Sequence, residues 1–340
     1  MRVRIALSIV LAVTTLALGW QGVLTEHLFL LLPDGIPDPA GAAARAEEIL
    51  GEVWGLWLPQ GLATAIPRHF FVPSSLPPDL LPPAREGPSF DVALYDDPEE
   101  LWQETHRFGI VGTYVIPYLG LEDLWERLRE RFPQAGAPDD WGAWGVILAY
   151  CPHGDCPALL SHELTHGLQD YVEMQIPTDF CPKELDREPR LIIEGMARWT
   201  EFALGHGGDF ALLVQGPVTV WLKAGGTLDQ VPEFLLYEIG ASLFEYLSQS
   251  LSPPEMLALF SPPVRELLGL PGEEFPELFR ELYGEGWEKF LAGWRAWIRA
   301  TEATPQAELV YEEKRLGIGL RESFLWPLLT EEEREEIGDI

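Results

Sequence analysis

The chain has 340 residues, 47% of them apolar, and a formal net charge of −31 from 54 acidic against 23 basic side chains. That length and composition support a substantial packed core, in one large domain or two modest ones, and exclude a disordered chain. The charge repels phosphate backbones and anionic headgroups, which excludes a nucleic-acid partner.

Arg2 and Arg4 precede Ile5–Trp20, an apolar run without a charged residue. This is the charged and apolar order of an export signal, with a small-residue cleavage site weakly present at Ala17-Leu-Gly19. The expectation for residues 1–22 is therefore a signal peptide or a membrane anchor, and for the protein an exported location: secreted, periplasmic, or tethered to the outer face of the cytoplasmic membrane through residues 5–20. An uncleaved run is short for a span unless the apolar patch Leu28–Leu32 extends it.

Residues 23–89 read as an N-terminal segment. It has an amphipathic helix over 42–58, stopped by Pro59 and Gly61, and then a proline-dense stretch over 67–89. Strand patterns follow at Phe90–Tyr95, Ile110–Ile116 and Gly145–Tyr150. Helices are expected at 99–106, after the start signal Asp96-Asp97-Pro98, and at 121–132. From Ala158 the pattern is helical, with segments at 158–174, 190–205, 234–250, 254–260, 274–282 and 286–302. Strands first and helices after predict an α+β fold: a small mixed sheet with helices, followed by a mainly α-helical half. The main domain is placed at 90–302 and an acidic tail at 303–340.

Residues 161–170 read Ser-His-Glu-Leu-Thr-His-Gly-Leu-Gln-Asp. On a helix His162 and His166 lie one turn apart on one face, where both imidazoles can reach one metal ion. Glu163 lies about 100° round from His162, placed to act as a general base rather than a ligand. The alternative is an ordinary polar face on a surface helix. A zinc site that does chemistry needs a third protein ligand and an open position. Glu194, among Leu191, Ile192, Ile193 and Met196, is the candidate, since a carboxylate in apolar company wants a cation. Gly195 and Ala197 are small enough for this second helix to pack closely on the first. Asp170, one turn past His166, could orient a ligand imidazole or be solvated. Glu201 could support the site or be exposed.

Three cysteines flank the motif: Cys151, Cys156 and Cys181. Outside the cytosol one pair could form a disulfide, most simply Cys151–Cys156 across Cys-Pro-His-Gly-Asp-Cys, with Cys181 left over or pairing with either. His153 gives that loop an incomplete metal set.

His162–Tyr171 (HELTHGLQDY) resembles the active-site helix of thermolysin-like metalloproteases. Glu194–Glu201 (EGMARWTE) resembles the glutamate helix of the aminopeptidase-N and leukotriene-hydrolase-like family. Tyr237-Glu-Ile-Gly240 is similar to that family's tyrosine helix, and residues 283–298 to its closing helices. The broad pattern is that of the gluzincins, of the peptidase MA-like kind, and it spans residues 90–300. The resemblance implies a zincin-like fold and a Zn2+ ion held by His162, His166 and Glu194, with Glu163 as general base. It also implies that Tyr237 stabilises the oxyanion. Two departures stand out. The interval of 27 residues between His166 and Glu194 is longer than in the named families. The Gly-x-Met-Glu-Asn strand that reads a free amino terminus is also missing. The expected activity is thus a zinc metallopeptidase acting on peptides or proteins, an endopeptidase rather than an aminopeptidase, with Gly145–Tyr150 edging its cleft. The alternatives are an inactive binding protein on the same scaffold and a zinc hydrolase of non-peptide substrates.

Overall fold

The computed structural model describes residues 11–16, 20–58, 90–105, 111–115, 146–176, 188–271 and 275–316. The proline-dense stretch, the 121–132 helix, Cys181 and the end of the acidic tail lie outside the described residues. The fold is mixed α+β. It divides into two compact units, residues 1–54 with 63–167 and residues 55–62 with 168–340.

The first unit is built on a six-stranded mixed sheet of order β1-β2-β3-β4-β6-β5. The strands are β1 (Leu11–Leu16), β2 (Trp20–Leu24), β3 (Leu28–Pro33), β4 (Phe90–Tyr95), β5 (Gly112–Val115) and β6 (Val146–Tyr150). β3, β4 and β6 run parallel, and β1, β2 and β5 pair antiparallel. The parallel strands are buried on both faces, which explains their near-continuous apolar sequence. Leu28, Leu30 and Leu32 are wholly buried together with Phe90, Leu94, Tyr95, Ile147 and Leu148. The Leu28–Leu32 patch is thus core strand rather than an extension of a membrane span. Among the described residues no helix is long and apolar enough to cross a membrane.

Helix α1 (Pro39–Trp57) connects β3 to β4. Asp38 starts it, its Oδ1 accepting from the Gly41 N–H at 2.9 Å, with Pro39 at the first helical position. Ala42, Ala46, Ile49, Val53 and Trp57 recur at helical spacing and are buried. Helix α2 (Pro98–Thr105) starts on Asp97, whose Oδ1 accepts from the Glu99 N–H.

The β2–β3 turn is held by α1. Glu47 Oε1 accepts from His27 Nδ1, and its Oε2 accepts from the Thr25 hydroxyl and from the His27 N–H. Burial opposes the charge on Glu47, but the hydrogen bonds from His27 and Thr25 outweigh it and hold the carboxyl below its ordinary range near 4.5. A depressed carboxyl contributes stability that is present above its unfolded value and lost as pH falls through its folded value. His27→Leu should therefore destabilise the protein at pH 7, and the gap to wild type should shrink below pH 4.5. Urea titrations at pH 7 and at more acidic pH check this; a gap independent of pH would contradict it.

After β6, Cys151 and Cys156 form a disulfide that closes the loop into helix α3 (Pro157–Tyr171). Gly154 turns this loop at φ +70°, a conformation that suits glycine.

The second unit is helical: α4 (Glu188–Ala203), a π-helical turn at Ala211–Gln215, α5 (Gly216–Lys223), α6 (Leu236–Ser248), α7 (Pro253–Ala258), α8 (Pro262–Leu267), α9 (Phe275–Tyr283), α10 (Trp287–Ala300) and α11 (Pro305–Leu316). Its core is aromatic. Trp57 packs edge-on to Trp199 and Phe244, and Phe279, Trp287 and Phe290 form a second cluster. Two buried indole N–H groups find partners, Trp57 on Thr200 and Trp294 on Ser242. Helix α11 occupies residues that the sequence pattern leaves in the tail.

The tightest helix contact in this unit is α4 on α6. A Cβ built on Gly195 would stand 2.5 Å from the carbonyl carbon of Gly240. One built on Gly240 would stand 2.6 Å from Gly195 Cα. The two backbones touch because neither residue carries a side chain. Gly195, expected from the sequence to admit the histidine helix, admits α6 instead.

Candidate metal centre

Helix α3 is buried on nearly all sides, and this removes the surface-helix reading of residues 161–170. His162 is 8% exposed and Glu163 5%, while Ser161, Leu164, Thr165, Leu168 and Gln169 are also buried. His166 is half-buried. The helix lies close on β4 because Gly167 gives way to Phe90: a Cβ there would stand 2.5 Å from Phe90 Cε1. Polar side chains within the helix are satisfied locally, the Thr165 hydroxyl donating to Ser161 O and the Ser161 hydroxyl to Ala158 O.

His162, His166 and Glu194 each offer a ligand atom, and these three atoms all lie within 4.8 Å of one another. The two imidazoles stand 4.8 Å apart, centroid to centroid, with planes at 79°. Tetrahedral zinc bonded at about 2.0–2.1 Å needs ligand atoms roughly 3.3 Å apart, a spacing inside that 4.8 Å limit. Two imidazoles and one carboxylate are the donor set of a zinc site that keeps one position open, so these residues fit the ion.

Glu194 is brought to α3 by Gln169, whose Nε2 donates to the Ile193 carbonyl at 2.8 Å. Gln169 lies within the His162–Tyr171 stretch, but the sequence reading gives it no role of its own. Its signal there is a spacing of seven from His162, which puts it on the histidines' face of the helix.

Glu163 faces β5. A Cβ on Gly112 would stand 2.7 Å from Glu163 Oε1, so this glycine makes room for the carboxylate. The strand beside the candidate base is therefore β5, which ends the sheet among the described residues. The expectation that Gly145–Tyr150 edges the cleft does not hold. Its described part, β6, lies between β4 and β5 and has both hydrogen-bonding sides occupied.

Tyr237 stands on α6 one turn before Gly240, while Glu194 immediately precedes Gly195. The Gly195–Gly240 contact thus sets Glu194 and Tyr237 on abutting helices, within one turn of the crossing. Arg190, one turn before Glu194, forms a 2.8 Å ion pair with Glu233. Burial lowers the affinity of its guanidinium for the proton, but Glu233 first, then Tyr237 and Glu194, raise it above its ordinary value. Glu201 is buried and paired with Arg198. Asp170 is half-buried, one turn past His166.

The only other His and carboxylate group of this kind among the described residues is Glu26, His27 and Glu47. It is the hydrogen-bonded turn above, with both Glu47 oxygens engaged and Glu26 exposed. Comparison of the chain with family models and with curated proteins gives no match to either.

Proposed function

We propose that the protein is a zinc-dependent hydrolase of peptide bonds, a zincin-like metallopeptidase of the gluzincin type. The observation that carries the reading is the convergence of His162, His166 and Glu194 around the buried helix that also holds Glu163. His162, His166 and Glu194 would hold the ion, which when bound supplies Lewis acidity that eases the ionisation of water and polarises a carbonyl. Glu163 takes a proton from the attacking water and passes it to the leaving amine. Its burial beside Gly112 limits competing solvent and fixes where the carboxylate can act. Tyr237 donates its phenolic hydrogen to the developing oxyanion. The Cys151–Cys156 disulfide supports an exported protein, because such bonds persist outside the reducing cytosol.

Elemental analysis of purified protein should find one zinc per chain. A chelator should abolish hydrolysis of unstructured peptides, and zinc should restore it. Protein that holds no zinc after incubation with the ion, or that cleaves peptides equally well with chelator present, would overturn the reading.

A further inference from the structure

The α4–α6 contact that carries Glu194 and Tyr237 is glycine on glycine. Such a contact brings backbones close but gives no side-chain ridge to resist sliding or rotation. Beside the crossing lies a cluster of charges in a setting where charges are costly. Glu238, next in sequence to Tyr237, and Glu201 have side chains only 4% and 5% exposed. Lys314 Nζ from α11 reaches Glu238 Oε1 at 2.7 Å, and Arg198 Nε of α4 stands 4.0 Å from that same oxygen. Arg198, one turn past Glu194, also pairs with Glu201 at 2.5 Å and lies 4.8 Å over the Phe202 ring. One carboxylate oxygen is thus approached by cations from two different helices.

Buried ion pairs are poor sources of net stability, since apolar replacements of similar volume often fold as well or better. What such a pair does supply is a fixed relative placement of the elements it joins. From this geometry we infer that Glu238, held by Lys314 of the C-terminal helix, is a positioning residue: it sets the register of α6 on α4 and so the placement of Tyr237 beside the metal ligands. The inference rests on the zinc-hydrolase reading above. The lever is long. A phenol oxygen roughly 9 Å from the helix axis moves about 1.5 Å for a 10° rotation, and a misplacement of about 1 Å can cost on the order of 100-fold in rate.

The test uses the full chain with 3-fluorotyrosine incorporated at Tyr237, read by fluorine NMR as zinc is added, alongside steady-state kinetics. Lys314→Met should bind zinc within roughly 3-fold of wild type, with kcat down about 30- to 100-fold and KM changed less than about 3-fold. The zinc-induced fluorine shift should fall to less than about half, as the phenol moves out of register. Lys314→Arg should restore both. The double variant Lys314→Met with Glu238→Leu should recover thermal stability without recovering the shift or kcat, which separates positioning from folding. A Lys314→Met protein with an unchanged shift and kcat overturns the inference, as does a double variant that regains kcat along with stability. Wild-type protein that binds zinc but cleaves nothing would sink the hydrolase reading, while the fluorine shift would still decide the positioning role. Wild-type protein that binds no zinc overturns both.

Discussion

Glu163→Gln in the zinc-loaded protein is expected to lower kcat by about 10²- to 10⁴-fold, the contribution of a positioned general base, with zinc content unchanged. The amide has the carboxylate's shape, so the close fit against Gly112 survives and stability should stay near wild type. Because Glu163 follows a proposed ligand and is not itself in the His162, His166 and Glu194 group, its loss would separate chemistry from metal binding. Replacing His166 or Glu194 by alanine should instead remove both. Measurements of kcat, KM and bound zinc on the same preparations check the separation. A Glu163→Gln protein that turns over peptides at the wild-type rate would remove Glu163 from the mechanism. One that loses zinc would make it a ligand.

The parts of this site legible in the sequence are those encoded by local periodicity. His162 and His166 are one turn apart whatever the tertiary fold, and the apolar neighbours of Glu194 mark out a carboxylate that the structure leaves half-buried. The structure adds what depends on distant pairing. Nothing local in Gly145–Tyr150 says that β5 rather than β6 is the outer strand among the described residues, because strand order is decided by which apolar faces meet. Gly195 advertises a close approach but not its partner, and Gly240 lies 45 residues away in the sequence. β3 is hidden for a related reason. A strand buried on both faces carries no alternation, so Leu28–Leu32 resembles a span as closely as it resembles sheet. Lys314 is invisible as a site element because a single lysine on a polar helix reads as solvated until its partner, 76 residues upstream, is known. Burial of Glu163 and Gln169 likewise follows from the packing of α3 rather than from its own composition.

Gly240→Ala should be the most damaging single-methyl change in the second unit. In an exposed helix the same substitution stabilises by about 1 kcal/mol, because alanine loses less backbone freedom than glycine on folding. At Gly240 the added carbon meets Gly195 Cα at 2.6 Å, backbone that cannot rotate away. The helices must separate, at a cost of about 3 kcal/mol that exceeds the propensity gain. The net loss of about 2 kcal/mol corresponds to a fall in Tm of roughly 3 °C for a chain of this size. Separation also draws Tyr237 away from Glu194, so kcat should fall by more than stability alone accounts for at a temperature where the variant is fully folded. Gly51→Ala supplies the control: Gly51 sits exposed in α1, an added Cβ there would meet nothing within 4 Å, and the substitution should raise Tm. Calorimetry of the two variants, with kinetics at 25 °C, gives opposite signs if the glycine contact holds the site together. Equal shifts in the same direction would mean that α4 and α6 are not in backbone contact in solution.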